Sequence, residues 1–348
     1  MIMLTIPKEF APALLDWYGK NARILPWRED PQPYKVWVSE IMLQQTRVEA
    51  VKPYYERFLK ELPDLASLAE AEEDVLLKLW EGLGYYNRVR NLQKAARQAL
   101  EEYGGLPSSA EELRKLPGIG PYTAGAVASI AFGEPVPAVD GNVMRVITRI
   151  LAYKEDITKE SVKKEVAEAL QPQTVSDPSA FNQALMELGA TVCLPNGTPK
   201  CGECPAAQLC AAHQQGCELS FPVKRAKKER KIVSKTIFLF EYGGKTAVYR
   251  RPKRGLLAGL WGFPETDDYL DEEEVPASLE EEGFDVKGFE AIGKAKHIFS
   301  HVEWHMTGYR VRLGELPKDS SFVFLSSEEI LETCALPTAY AAYTKQLA

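Results

Sequence analysis

Residues 116–125 read Leu-Pro-Gly-Ile-Gly-Pro-Tyr-Thr-Ala-Gly. Leu116 closes one helical run. Gly118 and Gly120 permit a tight turn that leaves backbone amides exposed, and Pro121 suits the first turn of the helix that follows. This is a helix–hairpin–helix pattern, and amides exposed at a helix N-terminus make a phosphate site. Gly-x-Gly alone also describes an ordinary joint between two helices. The flanking Leu, Pro and Tyr sharpen the reading.

Around this joint the chain reads as helix after helix over residues 8–191. Segments 8–20, 34–46, 85–103 and 179–191 carry apolar residues at three- and four-residue steps, with Pro and Gly at the joins. Nothing there alternates like a strand. The pattern changes later. Residues 233–251, VSKTIFLFEYGGKTAVYRR, read as two strands joined by a Gly243-Gly244 hairpin. Residues 301–313, HVEWHMTGYRVRL, also alternate. Val302, Trp304 and Met306 share one face, the phase slips at Gly308, and Tyr309, Val311 and Leu313 resume; a β-bulge at Gly308 would explain the slip. Short helices fit 276–282 and 326–333. The expected organisation is an all-α domain over 1–217, a basic linker over 218–232 and an α+β domain over 233–348.

A length of 348 residues suits two domains, and an apolar content of 45% allows a full core. No apolar run reaches the length of a membrane span. Residues 1–10 are too short and mixed for a signal segment, so a reduced, cytoplasmic setting is expected. The net charge of −7 would argue against a nucleic-acid partner if it were spread evenly. It is not. Residues 222–235 hold Lys224, Arg225, Lys227, Lys228, Arg230, Lys231 and Lys235 against Glu229 alone, whereas 265–274 is mostly acidic. Local fields therefore matter more than the total.

Four of the six cysteines fall within eighteen residues, as Cys193, Cys201, Cys204 and Cys210 with the spacing C-x7-C-x2-C-x5-C. One short loop can wrap four thiolates around a single centre. A tetrahedral zinc site and an iron–sulfur cluster both fit the spacing. Disulfides do not suit a chain of this length without a secretory segment.

Two carboxylates carry the candidate chemistry. Asp140, in VPAVDGNVMRVITRIL, starts a helix and has the ordinary role of an N-cap. One helix separates it from the hairpin, which returns it to the same end of the bundle. Held by helix amides, it should have a lowered pKa and stay ionised, able to stabilise a developing cation. Glu40, in YKVWVSEIMLQQT, has Val36, Trp37, Leu43 and Gln44 as helical neighbours. Desolvation should raise its pKa. A protonated Glu beside an ionised Asp is the pair that cleaves glycosidic bonds through an oxocarbenium-like state. Gln44, Gln45 and Thr46 end that helix within reach of base edges. GLGYYNRVRNL (82–92) sets Tyr85, Tyr86, Arg88 and Arg90 after two glycines, a composition suited to an unstacked base step as well as to plain core and surface.

Taken together, WVSEIMLQQTRV, GLGYYNRVRNL, LPGIGPYTAG, VPAVDGNVMRV, FNQALMELGA and the four cysteines, in that order, resemble the adenine DNA glycosylases of the MutY family. The resemblance implies an all-α helix–hairpin–helix glycosylase domain with an iron–sulfur loop (193–210) and a Nudix-like C-terminal domain. It implies one [4Fe–4S] cluster on Cys193, Cys201, Cys204 and Cys210, and excision of adenine opposite 8-oxoguanine or guanine in duplex DNA, by a monomer associated with a bacterial nucleoid. By motif, Glu40 resembles the acid that protonates adenine, and Asp140 the carboxylate that stabilises the sugar cation. Tyr122 and Asn142 resemble supporting residues. Trp27, Arg28 and Gln183 match positions lining the adenine pocket. Gln45 and Tyr85 match residues probing the opposite strand, with Thr46, Arg88, Gly118 and Gly120 as further DNA contacts. RGLLAGLWGFP (254–264) and HIFSHVEWHM (297–306) carry the Nudix-like match, and Phe299, Ser300 and His301 correspond to the loop that reads 8-oxoguanine.

The departures are a first cysteine gap of seven residues rather than six, Gly262 where many relatives have Glu, and Cys217 outside the pattern. PASLEEEGF (276–284) keeps some acids but lacks the Arg-Glu pair of a working Nudix hydrolase, which implies a recognition domain. Endonuclease III-like relatives carry a Lys after LPGxGx; Tyr122 cannot form a Schiff base, which implies a monofunctional enzyme. The competing readings are a lyase for oxidised pyrimidines, which needs that Lys, a non-catalytic cluster-bearing DNA sensor, which needs no buried carboxylate pair, and a nucleotide hydrolase in the second domain.

Overall fold

The computed structural model describes residues 4–174, 176–225, 229–317 and 321–347. The basic residues Lys227 and Lys228 lie outside them. In chain order the helices are α1 (Phe10–Asn21), α2 (Pro26–Glu29), α3 (Pro33–Leu43), α4 (Val48–Glu61), α5 (Leu65–Glu70), α6 (Glu73–Leu79), α7 (Asn87–Tyr103), α8 (Ala110–Leu113), α9 (Pro121–Phe132), α10 (Gly141–Ile150), α11 (Glu160–Leu170), α12 (Pro178–Thr191) and α13 (Ala211–Gln214). Starts follow local chemistry. Proline stands in the first turn of α2, α3, α9 and α12. Asp140 and Asp177 cap α10 and α12 through their carboxylates. Segment 34–46 ends earlier, and segment 85–103 begins later, than the periodicity suggested, because Gln44–Thr46 and Tyr85 leave helical geometry: Gln45 and Tyr85 have φ of 59° and 47°.

The chain forms two compact units. One holds the chain up to Glu70 and resumes at Asn87; the other takes Ala71–Tyr86 together with the C-terminal part. In the first unit, α3 packs on α4, α7 and α9, while α1 and α10 both pack on α12. Helix α9 belongs to both groups because it also meets α12. Its residues Thr123–Ile130 are all buried and mostly Ala, Gly or Ser, so neighbouring helices approach closely. The core of the second group comprises Phe10 and Leu14, Val146 and Ile150, Val166, and Phe181, Leu185 and Leu188. Burying each large apolar side chain contributes about 1.5–3 kcal/mol. Cys210 and Phe221 join the same core, and Ile157 N donates to Val223 O at 3.1 Å. Residues 218–223, read from sequence as linker, are therefore packed on the helical unit.

The second unit is a mixed sheet. Its strands are β1 (Lys231–Tyr242), β2 (Lys245–Arg250), β3 (Trp261–Gly262), β4 (Glu265–Thr266), β5 (Val286–Ile298), β6 (Val302–Leu313) and β7 (Val323–Leu325), with α14 (Glu274–Glu281), α15 (Ser327–Thr333) and α16 (Ala341–Thr344). The order is β3-β2-β1-β6-β5, with β4 on β1 and β7 on β2. Gly243 and Gly244 turn the β1–β2 hairpin with φ of 58° and 75°, as a type I′ turn requires.

The bulge expected at Gly308 is absent from β6, whose parallel register with β1 runs unbroken from Val302 to Arg312. The apolar side changes face instead. Val302, Trp304 and Met306 enter one core with Ile237 and Leu239; Tyr309, Val311 and Leu313 enter another, on the opposite face, with Phe238 and Phe240. At the crossover a Cβ on Gly308 would lie 2.2 Å from the Tyr343 ring, which packs on the bare backbone. The irregularity falls on the partner strand, where Ile292 is the extra residue between Ala291 and Gly293. Lys235, counted with the basic stretch, points inward and pairs with Glu265 at 2.9 Å.

Candidate active site

A cleft of about 150 Å³ opens in the helical unit, lined by Trp27, Arg28, Glu40, Tyr122, Asp140, Asn142, Gln183, Met186 and Glu187 among others. Its volume is below the ~300–1,000 Å³ of drug-sized ligand sites, a size suited to one heterocyclic base. Helix α3 delivers Glu40 because Val36–Met42 are all buried, so the carboxyl has no route to the surface along its own helix. Glu40 is 5% exposed. Burial raises its pKa from 4.5 to about 7; the Tyr122 hydroxyl and Arg28 pull it down, and Asp140 pushes it up. The Tyr122 hydroxyl donates to Glu40 Oε2 and lies 3.3 Å from Met186 Sδ.

Asp140 reaches the same cleft from the start of α10. Its Oδ1 accepts from Val143 N at 2.7 Å and its Oδ2 from Asn142 Nδ2 at 2.8 Å. The amide cap was expected to lower its pKa. Instead burial raises it, against the opposing pull of the Val143 amide, Asn142 and Arg145. Burial thus raises both carboxyls, and Glu40, with Tyr122 as its one hydrogen-bond donor against several for Asp140, is the one pushed to about 7. A further chain of contacts holds Asn142. Its Oδ1 accepts from Arg145 Nη2 at 2.8 Å, and Arg145 also binds Gly189 O at 2.8 Å and Cys193 O at 2.7 Å. Gly189 lets α12 close on α10: a Cβ there would stand 2.5 Å from Asn142 Cβ.

Sequence reasoning missed Glu187. It is 1% exposed and accepts from Arg23 Nε at 2.6 Å and Arg28 Nη2 at 2.8 Å. Burial raises its pKa, but the two guanidinium groups outweigh that and hold it below the usual range. The signal was present as a Glu amid FNQALMEL, where helical spacing from Phe181 and Ala184 puts it inside. Arg28 also lies 5.5 Å over the Tyr18 ring, whose hydroxyl is 3.4 Å from Gln183 Oε1.

Residues 38–172 match the family described as HhH-GPD superfamily base excision DNA repair protein, and residues 236–346 match the NUDIX domain. The adenine DNA glycosylase of Rattus norvegicus is 37% identical, over 90% of this chain and 72% of its own length. That of Buchnera aphidicola subsp. Baizongia pistaciae is 34% identical, over 84% of this chain and 83% of its own. The chain belongs to the adenine DNA glycosylase family. Among solved structures, a thermostable thymine-DNA glycosylase aligns with a TM-score of 0.53 and 28% identity, covering 60% of this chain and 96% of that one. A non-covalent endonuclease III–DNA complex aligns with a TM-score of 0.51 and supports the helical fold.

Other residues that the family resemblance singled out fall as follows. Gly118 turns with φ of 77°, and Gly120 precedes Pro121 at the start of α9. Both are exposed. Gln45 is exposed just past α3, and Thr46 lines the cleft. Arg88 Nη1 donates to the carbonyls of Ile41, Met42 and Gln44 at 2.8, 3.2 and 2.7 Å. It caps the C-terminal end of α3, where a cation meets the helix dipole, and so holds Glu40's helix.

The four clustered cysteines line one cavity with Arg149, whose Nη1 lies 3.2 Å from Cys193 Sγ. Burial, with help from Glu218 and the other sulfurs, pushes Cys201 up to about 11. Burial, with the neighbouring sulfurs, pushes Cys204 to about 12. A cationic centre reverses that by stabilising the thiolates. Among the described residues, the group with ligand atoms within 4.8 Å of one another is Cys201, His213 and Glu218, not three of these cysteines. Tetrahedral zinc with bonds of ~2.3 Å would need sulfurs ~3.8 Å apart. The loop of the first gap is closed where Lys200 N donates to Val192 O at 3.0 Å.

Within the other unit, Phe299, Ser300 and His301 form the turn between β5 and β6. Phe299 stacks edgewise between His297 and Trp304, at 4.5 and 4.9 Å. Tyr85 is 53% exposed, and its hydroxyl meets Ser300 Oγ at 2.8 Å. Glu280, Glu281 and Glu282 are exposed, while the buried Glu265 binds Lys235, Arg251 and Tyr340. A Cβ on Gly262 would lie 3.1 Å from that tyrosine's hydroxyl, which is why a larger residue fits poorly there.

Proposed function

We propose that this chain removes adenine from duplex DNA where it stands opposite 8-oxoguanine or guanine, by hydrolysing the N-glycosyl bond without a lyase step. The observation that carries the chemistry is Glu40, with a pKa of about 7, in one cleft with Asp140. Near neutral pH Glu40 holds a proton that it can pass to a ring nitrogen of an extruded adenine. The bond between sugar and base then breaks, its electrons leave with the base, and an oxocarbenium-like cation forms. Asp140, fixed by Val143 N and Asn142, faces that cation. Water adds to the sugar carbon and its proton passes to the Glu40 carboxylate, which restores the acid. Trp27, Arg28, Gln183 and the Arg23–Glu187 pair supply the walls that orient the base.

The monofunctional reading is supported by Tyr122 at the hairpin and by the absence of lysine among the described residues that line the cleft. One [4Fe–4S] cluster on Cys193, Cys201, Cys204 and Cys210 is supported by the cavity that the four cysteines line together; when bound, its irons would hold the four sulfurs as thiolates and tie their loop together. Duplex DNA is the partner, gripped through the amides beyond Gly118, and the turn Phe299–His301 reads the opposite base. No helix among the described residues is long and apolar enough to cross a membrane. We take the enzyme to act as a monomer.

The test is a single-turnover incubation with a duplex holding one adenine opposite 8-oxoguanine, with and without later alkali. Adenine release with strand breakage only after alkali is the expected result. Breakage without alkali refutes the monofunctional reading. No release from cluster-loaded protein refutes the catalytic one.

A further inference from the structure

Residues 71–86 interrupt the helical unit and cluster with the C-terminal unit. Their anchors there are specific. Asp74 takes the Arg250 guanidinium, which also donates to Gly259 O at 2.8 Å and lies 4.6 Å over the Trp261 ring. Lys78 pairs with Glu81 Oε2 at 2.6 Å and donates to Cys334 O at 3.1 Å, at the C-terminal end of α15 where a cation suits the helix dipole. The other Glu81 oxygen accepts from Leu336 N at 2.8 Å. Immediately afterwards the backbone turns left-handed at Gly82, Gly84 and Tyr85, with φ of 100°, 68° and 47°. Glycine adopts such angles freely; tyrosine does not, and holds them only where its surroundings over-determine them. The Tyr85 hydroxyl is then met by Ser300 in the β5–β6 turn.

We infer that Glu81 is a positioning residue for opposite-strand recognition: docked between Lys78 and the Leu336 amide, it clamps the base of the Gly82–Tyr85 turn and so sets where Tyr85 stands beside the Phe299–His301 turn. Part of the recognition surface thus comes from a segment that the linear order assigns to the helical domain. The inference rests on the proposed reading of 8-oxoguanine by that turn. Glu81 is outside the cleft, so its loss affects choice of the opposite base rather than the chemistry at adenine.

The test compares wild type, Glu81→Ala and Glu81→Gln in the full, cluster-loaded chain by two readouts. Amide hydrogen exchange over residues 82–86 in the free protein should quicken about fivefold to tenfold in Glu81→Ala, the effect of losing one good hydrogen bond, and less in Glu81→Gln, which keeps an acceptor for Leu336 N. The ratio of affinities for duplexes with adenine opposite 8-oxoguanine and opposite guanine should fall by a similar factor in Glu81→Ala and recover in Glu81→Gln, with the saturating single-turnover rate held. Unchanged exchange over 82–86 overturns the clamp. Faster exchange with an unchanged ratio overturns the recognition role. A wild-type ratio near one sinks the 8-oxoguanine reading itself, and the exchange measurement still decides the clamp.

Discussion

Replacing Glu40 by Gln should make the protein inactive and, at alkaline pH, more stable. Glu40 has a folded pKa of about 7 against 4.5 for a free side chain. The difference, 7 − 4.5 = 2.5 units, is ~3 kcal/mol at 1.36 kcal/mol per unit. Because the folded value is raised, the folded state binds the extra proton. The favourable contribution is complete below pH 4.5 and is lost as pH rises through about 7. Above that the wild type must hold a carboxylate among Val36, Trp37 and Ile41, whereas an amide carries no charge to desolvate. The figure is an upper bound, since water entry and rotation toward Arg28 relieve part of it. The assay is the difference in melting temperature between Glu40→Gln and wild type at matched pH values from about 4.5 to 8.5, where everything but this residue cancels. The variant should melt close to wild type at the acid end and higher at the alkaline end, by up to ~6–12 °C at ~2–4 °C per kcal/mol for a unit of this size. A difference that does not vary with pH, or a variant less stable at pH ~8, would mean that water reaches the carboxyl and that its pKa is ordinary, and the argument for a protonated acid at neutral pH would fail.

The Tyr122 hydroxyl lowers the pKa of Glu40, so Tyr122→Phe should shift the alkaline limb of the single-turnover pH profile upward from about 7. A hydrogen bond to a charged group contributes ~1.5–3 kcal/mol, which corresponds to ~1–2 units; a limb that stays put or moves down contradicts the assignment. Gly189→Ala forces a Cβ to within 2.5 Å of Asn142 Cβ, displacing the group that holds Asp140. Excision should fall on the order of 10²-fold and stability by ~1–3 kcal/mol, read by single-turnover kinetics and melting. Cys204→Ser should lose bound iron, its visible absorbance and several degrees of melting temperature, as iron assays and spectroscopy on freshly purified protein would register.

Much of the helical unit was legible because helix signals are local. Proline at the first turn and Asp at the cap mark α9, α10 and α12, and a four-cysteine loop announces a single centre. Glu40 could be picked out because three of its helical neighbours, Val36, Trp37 and Leu43, are apolar. What the sequence did not show lies beyond a local window. The motif that suggested Arg88 as a DNA contact gave no sign that its Nη1 donates to the carbonyls of Ile41, Met42 and Gln44, more than forty residues away in sequence. Glu187 gave no motif, and only the fold brings Arg23 and Arg28 to it. The apparent slip at Gly308 reads as a bulge in β6 but is a change of covered face in a strand whose register with β1 is unbroken, the extra residue lying opposite it in β5.

The sequence by itself determined which segments become helices and strands, the chemical identities at the hairpin, the carboxyl pair and the cysteine loop, and through their order the family. These follow from short-range rules: side-chain periodicity, capping, and the conformational range of proline and glycine. Only the tertiary structure decided that burial raises Glu40 and Asp140 alike, because desolvation and charge are summed over every element that closes the cleft. It also decided that residues 71–86 join the C-terminal unit. Their anchors at Arg250, Cys334 and Leu336 are separated from them by more than a hundred and fifty residues, and no local pattern records a partner that only folding brings near.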